Sequence, residues 1–282
     1  MIPGSFTYHR PSELPAALKI LSEHGGDARV VAGGHSLVPM MKFRMAEVGH
    51  LVDLQSILAL RGIAISGREV RLGAMTTQAE ILAHGALAAV APILAETASQ
   101  IADPQVRNMG TLGGNVANGD PGNDMPAVMQ CLDATYDLLG PGGPRSVKAR
   151  AYYQSAYVTA RADDEILTAV RFHAPEGGTA YLKQKRKIGD YATAAAAVWI
   201  AKAGGKCIAA SIAMTNLADT PVFVPAAALV GTSCDVAAVK QAVAVMQTVI
   251  APVSDNRGPE EFKRHVAGRI LADAIALAWS RA

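Results

Sequence analysis

Read for its alternation of apolar and polar positions, the 282-residue chain breaks into short strand-like and helix-like runs separated by glycine and proline. Phe6 to Tyr8 reads as a strand, and Ser12 is placed to cap a helix from about Glu13 to Glu23 that Gly25-Gly26 stops. Arg29 to Val31 forms the next strand and runs into the turn Ala32-Gly33-Gly34-His35-Ser36. Met40 to Arg44 is too short to assign, and His50 to Leu54 is a strand that closes a first α/β lobe near residue 55. A turn at the carboxyl end of a strand is where open α/β sheets tend to bind ligands.

From Ile63 the pattern becomes a hairpin, Ile63 to Ile65 and Val70 to Leu72 around Ser66-Gly67. Thr76 or Thr77 caps a short helix to His84, and Ala86 to Ile101 reads as a longer helix that Asp103-Pro104 stops. Asn108 to Asp124 carries five glycines and no apolar periodicity, so it is expected to be a loop that is neither helix nor strand. Asp124 stands where it could cap a following helix with Pro126 in its first turn. Strands follow at Ala134 to Leu139, around Arg145 to Val147, and at Ile166 to Phe172, with a short helix expected at Tyr152 to Tyr157.

Pro175-Glu176-Gly177-Gly178 marks a boundary between domains 1–177 and 178–282. Beyond it Tyr181 to Lys187, Ala192 to Ala201 and Lys206 to Asn216 read as a three-stranded antiparallel meander. Ala226 to Val230, Val236 to Ile250 and Pro259 to Arg281 read as helices.

Composition adds exclusions. Half the residues are hydrophobic, 18% are charged and the net charge is +2, which gives no electrostatic footprint for nucleic acid. The longest apolar run, Tyr191 to Ala201, falls short of the ~20 residues that span a bilayer. Cys131, Cys207 and Cys234 are too few and too scattered to hold an iron–sulfur cluster, and the seven histidines show no spacing of the His-Glu-x-x-His kind, so no metal site is expected in this chain. His35 beside Ser36 is not a nucleophile and base, because neighbouring side chains diverge and no orienting carboxylate is evident. No catalytic constellation is expected.

The two glycine-rich turns suggest two halves of a diphosphate clamp. Between Asn108 and Leu139 there is no Lys or Arg, which excludes a Walker loop and leaves amide dipoles and hydroxyls to hold phosphate. Thr111 offers a hydroxyl, and Gly113, Gly114 and Asn115 offer amides. Lys183, Lys185, Arg186 and Lys187 form the densest cationic cluster, with alternate members on opposite sides of the expected strand.

Ala32-Gly33-Gly34-His35-Ser36 together with Thr111-Leu112-Gly113-Gly114-Asn115 resembles the paired FAD pyrophosphate loops of the flavoprotein subunits of molybdenum hydroxylases, the xanthine dehydrogenase family, over essentially the whole chain. Met1 to Phe6, Gly119 to Pro126 and Lys185 to Ala194 resemble more closely the carbon monoxide-oxidising members. The resemblance implies an α+β fold: a PCMH-type FAD-binding domain of two α/β lobes, about 1–55 and 56–177, then a C-terminal domain with a three-stranded antiparallel sheet and helices. It implies FAD in this chain, two 2Fe–2S clusters in a small partner, and a molybdenum–copper centre with molybdopterin cofactor in a large partner. The expected assembly is a dimer of heterotrimers that passes electrons to a quinone, in the cytoplasm or peripherally at the inner face of its membrane.

By the same resemblance Asp124 bonds the cofactor ribose, an alternative or addition to its capping role. Ile101, next to Ala102, packs on the isoalloxazine ring, where xanthine-oxidising relatives carry an aromatic residue. Leu167 lies against the adenine or the ring, Lys185 faces the flavin, and Tyr191 lies over it. Two other readings stay open: an FAD subunit acting with a heteroaromatic or aldehyde substrate, and a flavin-free nucleotide-binding module.

Overall fold

Three parallel strands start the fold, and their apolar residues are what the first helix covers. The computed structural model describes residues 2–282, so Met1 of the opening motif lies outside the described residues. Strands β1 (Thr7–His9), β2 (Ala28–Val31) and β3 (His50–Asp53) pair in the order β1-β3-β2. Helix α1 (Leu14–His24) buries Ala17 and Leu21 against them, and α2 (Leu37–Lys42) follows the first glycine turn. Glu13, not Ser12, occupies the cap position of α1, and it makes no side-chain cap bond.

The second lobe is a five-stranded antiparallel sheet, β4 (Ile63–Ser66), β5 (Glu69–Gly73), β6 (Thr135–Gly140), β7 (Gly143–Lys148) and a later strand, ordered β4-β5-β10-β6-β7 once β10 (Ile166–His173) is counted. Six short helices lie between β5 and β6: α3 (Gln78–Ala83), α4 (Gly85–Val90), α5 (Pro92–Gln100), α6 (Pro104–Met109), α7 (Leu112–Ala117) and α8 (Asp124–Cys131). The expected long helix from Ala86 to Ile101 is broken at Ala91, because Pro92 cannot supply an N–H and serves instead as the first residue of α5. Asp103 does not merely stop a helix. Its Oδ1 accepts from the Val106 amide at 2.8 Å and starts α6.

The expected loop over 108–124 holds a helix, α7, within it. Glycine propensity disfavours that, but Leu112 and Gly113 donate to the carbonyls of Thr76 and Ala74 at 2.8 Å, so tertiary bonds override propensity. Asp124 is the first residue of α8 rather than its cap, and Asn123 takes the cap position. Tyr152 to Tyr157 is not a helix but a hairpin of β8 (Tyr153–Ser155) and β9 (Val158–Thr159).

The third sheet is antiparallel, β11 (Gly178–Gln184), β12 (Ala194–Ala203) and β13 (Lys206–Thr215), and a fourth short strand, β14 (Val222–Val224), extends the expected three. Ala194 to Ala197 are wholly buried, and that tight packing between layers selects strand over their helical propensity. β11 ends at Gln184, so Lys185 to Lys187 leave the sheet and the expected alternation stops before them. Ala226 to Val230 forms turns, not a helix. Helices α9 (Val236–Val249) and α10 (Glu260–Arg281) cover one face of this sheet.

Candidate functional site

The first glycine bend leaves β2 at Val31 and enters α2 at Leu37. Gly34 has φ +75°, a conformation glycine adopts without a Cβ penalty. The Gly34 and Ser36 carbonyls accept from Val38 and Met40 at 3.0 and 3.2 Å. The backbone N–H groups of Gly33, Gly34, His35, Ser36 and Leu37 donate to no acceptor among the described residues. A run of free amides at a bend is a concave donor surface suited to an anion.

The second bend meets the first. A Cβ at Gly33 would strike the Met109 carbonyl and come within 2.7 Å of Gly110 Cα, and one at Gly114 would lie 3.5 Å from the Ala32 side chain. Ala32 and Gly33 therefore touch the segment that leads into Thr111 to Asn115. Within that segment four amides are occupied: Leu112 donates to Thr76 O and Gly113 to Ala74 O at 2.8 Å, Gly114 to Thr111 Oγ1 at 3.0 Å, and Asn115 to Thr111 O at 3.0 Å, while the Thr111 amide donates to no acceptor among the described residues. The Asn115 side chain accepts from the Met125 amide at 3.2 Å and so ties α7 to α8. The first bend carries the continuous run of free donors, while the second supplies its wall and the Thr111 amide.

Tyr191 shares a cleft with the first bend. A cavity of about 310 Å³ is lined by His35, Ser36, Asn118, Asp120, Gly122, Tyr157, Tyr191 and Arg257, among others. The Tyr191 ring lies so near Gly122 that a Cβ there would sit 2.9 Å from its Cδ1. The Arg257 guanidinium covers the ring at 5.3 Å, and Asp190, which holds Arg186 at 2.9 Å, accepts from the Tyr191 amide at 2.9 Å. Burial, and Asp120 next to it, push the Tyr191 phenol up to about 12. Asn118, Tyr157 and Arg257 were not legible as site residues. Asp120 and Gly122 lie in the Gly-Asp-Pro-Gly motif, which was the one available signal.

Asp124, Ile101, Ala102 and Lys185 form a second group around Lys183. Asp124 Oδ2 accepts from Lys183 Nζ at 2.8 Å, and Oδ1 accepts from the Tyr181 hydroxyl. Burial raises the Asp124 carboxyl above its ordinary range, against the pull of Lys183 and Tyr181. Lys183 also reaches the Gln100 carbonyl at 3.4 Å, beside Ile101. Arg107 donates to the Ile101 and Ala102 carbonyls at 2.9 and 3.3 Å, and Ala102 has φ +44°. Burial, and then the neighbouring Lys183, lower the Lys185 ammonium below its ordinary value. Leu167 lies in the core of the second lobe, in the same hydrophobic cluster as Ile101 and beside a bulge in β10.

The glycine contacts, the free amides and the cleft fit a dinucleotide diphosphate, and the comparisons with known proteins agree. Residues 4–175 match the family described as the FAD binding domain in molybdopterin dehydrogenase, and residues 179–278 match the CO dehydrogenase flavoprotein C-terminal domain. The chain is 54% identical to the carbon monoxide dehydrogenase medium chain of Afipia carboxidovorans, over 100% of this chain and 99% of the relative. It is 41% identical to that of Hydrogenophaga pseudoflava, with the same coverage. The fold superposes on a chain of a crystalline Cu,Mo-CO dehydrogenase with a TM-score of 0.98 at 55% identity and full coverage of both chains. The chain therefore belongs to the family of FAD-binding medium chains of carbon monoxide dehydrogenase, within the molybdenum hydroxylases.

Proposed function

We propose that this chain is the electron outlet of a carbon monoxide-oxidising complex, with its FAD held by its diphosphate at the first glycine bend. The observation that carries the reading is the set of five free N–H groups from Gly33 to Leu37, walled by the backbone at Met109 and Gly110. Thr111 to Asn115 hold the wall in place. Ser36 and His35 face the cleft that Tyr191 closes, and Arg257 and Asp190 fix Tyr191 there. Lys185, next to the Lys183–Asp124 pair, and Arg107, bonded to the Ile101 and Ala102 carbonyls, set a cationic field that suits the electron-rich edge of a flavin. Bound FAD supplies the ability to exchange electrons singly or in pairs.

In this reading a large partner with a molybdenum–copper centre oxidises CO with water, and a small partner with two 2Fe–2S clusters carries electrons to this chain. A quinone receives them, and the assembly is a dimer of heterotrimers in the cytoplasm. Among the described residues no helix is long and apolar enough to cross a membrane, so a contact with the membrane would be peripheral. The FAD-binding domain spans 1–177, in lobes of about 1–55 and 56–177, and the C-terminal domain spans 178–282. The test removes FAD from the purified complex and supplies CO with a soluble quinone. The expected result is clusters that still reduce and a quinone that does not, with recovery on adding FAD. Quinone reduction that persists without FAD would overturn the reading.

A further inference from the structure

Three of the chain's seven histidines, remote from one another in sequence, meet where the end of α1 packs beside β1 and β3. His9 ends β1, His24 ends α1 and His50 begins β3. We propose that they form a binding site for a late first-row transition-metal ion such as Zn²⁺, Cu²⁺ or Ni²⁺.

One donor nitrogen from each ring lies within 4.8 Å of the other two, and all three side chains are half-buried. His9 Nε2 and His50 Nδ1 face each other at 2.9 Å. Zinc–nitrogen bonds of about 2.0–2.1 Å in a tetrahedron place ligand nitrogens about 3.3–3.4 Å apart, so this pair needs to open by only about half an ångström. A proton shared between the two moves to a far ring nitrogen by a change of tautomer, which leaves both facing nitrogens with lone pairs to donate.

The backbone frame is fixed. β1 and β3 pair with Thr7 opposite His50, so the His9 and His50 donors are held by strand register. His24 supplies the third donor but must turn to do so. Its ring lies face to face with that of His50, centroids 3.5 Å apart and planes 10° apart, and stacked rings cannot aim at one point. A rotation about the His24 side-chain torsions brings its nitrogen toward the other two, and water completes the shell. The donor set is imidazole alone, which selects zinc, copper and nickel over magnesium or calcium, ions that require oxygen ligands. Sequence spacing conceals the site, since no two of these histidines stand on one helix at ligand separation.

The test uses the untagged full chain in its assembled enzyme, titrated with ZnCl₂ against a competing chelator, with MgCl₂ as control. One equivalent of zinc is expected to bind to the wild type, with a raised thermal midpoint in zinc and no change in magnesium. His24→Gln and His50→Gln are expected to weaken that equivalent at least about tenfold. The FAD content is expected to stay at the wild-type level, because none of the three histidines lines the cleft beside the first glycine bend. Zinc uptake of equal stoichiometry and affinity in wild type and both variants would overturn the proposal. If either variant fails to fold, X-ray absorption at the zinc edge of the loaded wild type decides: three imidazoles support the site, and one or none contradicts it.

Discussion

Asp124 and Lys183 show how a residue pair is fixed by packing that no local pattern announces. Their side chains are 6% and 1% exposed, and the ammonium donates to the carboxylate at 2.8 Å. The alternation of the cationic cluster gave Lys183 no partner, and it is the packing of α5 on β11 and the start of α8 that bring Gln100 and Asp124 to its ammonium. Removing one member leaves the other charge buried and uncompensated. Lys183→Met is expected to destabilise the chain by about 3 kcal/mol or more in urea unfolding, and Asp124→Asn on that background should recover part of the loss. A single variant that unfolds at the wild-type urea midpoint would contradict the pairing. Glu165 gives the pH dependence. Arg145 donates to both its carboxylate oxygens at 2.5 and 2.6 Å, and those bonds hold the carboxyl below its ordinary 4.5. A depressed folded-state value means stability that is present above 4.5 and lost as pH falls through the folded value. Stability measured between pH 6 and pH 3 is expected to fall less steeply in Glu165→Gln than in wild type, and parallel curves would refute the assignment.

At the scale of elements, caps and tertiary bonds explain what periodicity predicted and what it did not. A strand with clean alternation, such as β6, and long helices such as α9 and α10, whose buried residues recur at three- and four-residue spacing, were legible from period alone. Of the short helices between Gln78 and Ala117, α3 was legible from its cap, α4 and α5 only as one longer helix, and α6 not at all. Thr77 accepts from Glu80 at 3.1 Å while Glu80 accepts from the Thr77 amide at 2.7 Å, a reciprocal box that the Thr-x-x-Glu spacing foretells. The α7 helix was not legible, because its start depends on carbonyls of Ala74 and Thr76 that are distant in sequence. The Thr77 box also steadies the second bend, since the next residue, Gln78, donates to Gly110 O at 2.9 Å. Thr77→Ala is expected to lower stability by about 1 kcal/mol, and Thr77→Ser to restore most of it. Equal denaturation midpoints in all three chains would show that the box contributes nothing.

For the whole molecule, the family resemblance carried more than the physics of the single sequence could. It implied that the two glycine bends converge, and the fold brings Gly33 against Met109 and Gly110 although the segments are separated by a complete hairpin and four helices. Composition pointed to amides rather than lysine as phosphate donors, but not to which amides are left without an acceptor in the fold. Gly113, Gly114 and Asn115 bond within the chain, and donors without an acceptor among the described residues run from Gly33 to Leu37, with the Thr111 amide across from them. Tyr191 and Arg257 meet only because the segment around Asp255 is anchored to α10, where Lys263 bonds Asp255 at 2.9 Å. The convergence of the bends is most directly tested by the FAD content of the assembled enzyme carrying Gly33→Ala, with Gly26→Ala as control, since a Cβ at Gly26 meets nothing within 4 Å. Forcing a methyl against backbone costs about 1–3 kcal/mol, or roughly a tenfold or greater loss of affinity. Gly26→Ala is expected to keep its full flavin absorbance while Gly33→Ala, folded by circular dichroism, loses most of it. A Gly33→Ala enzyme that retains FAD as tightly as wild type would contradict the account.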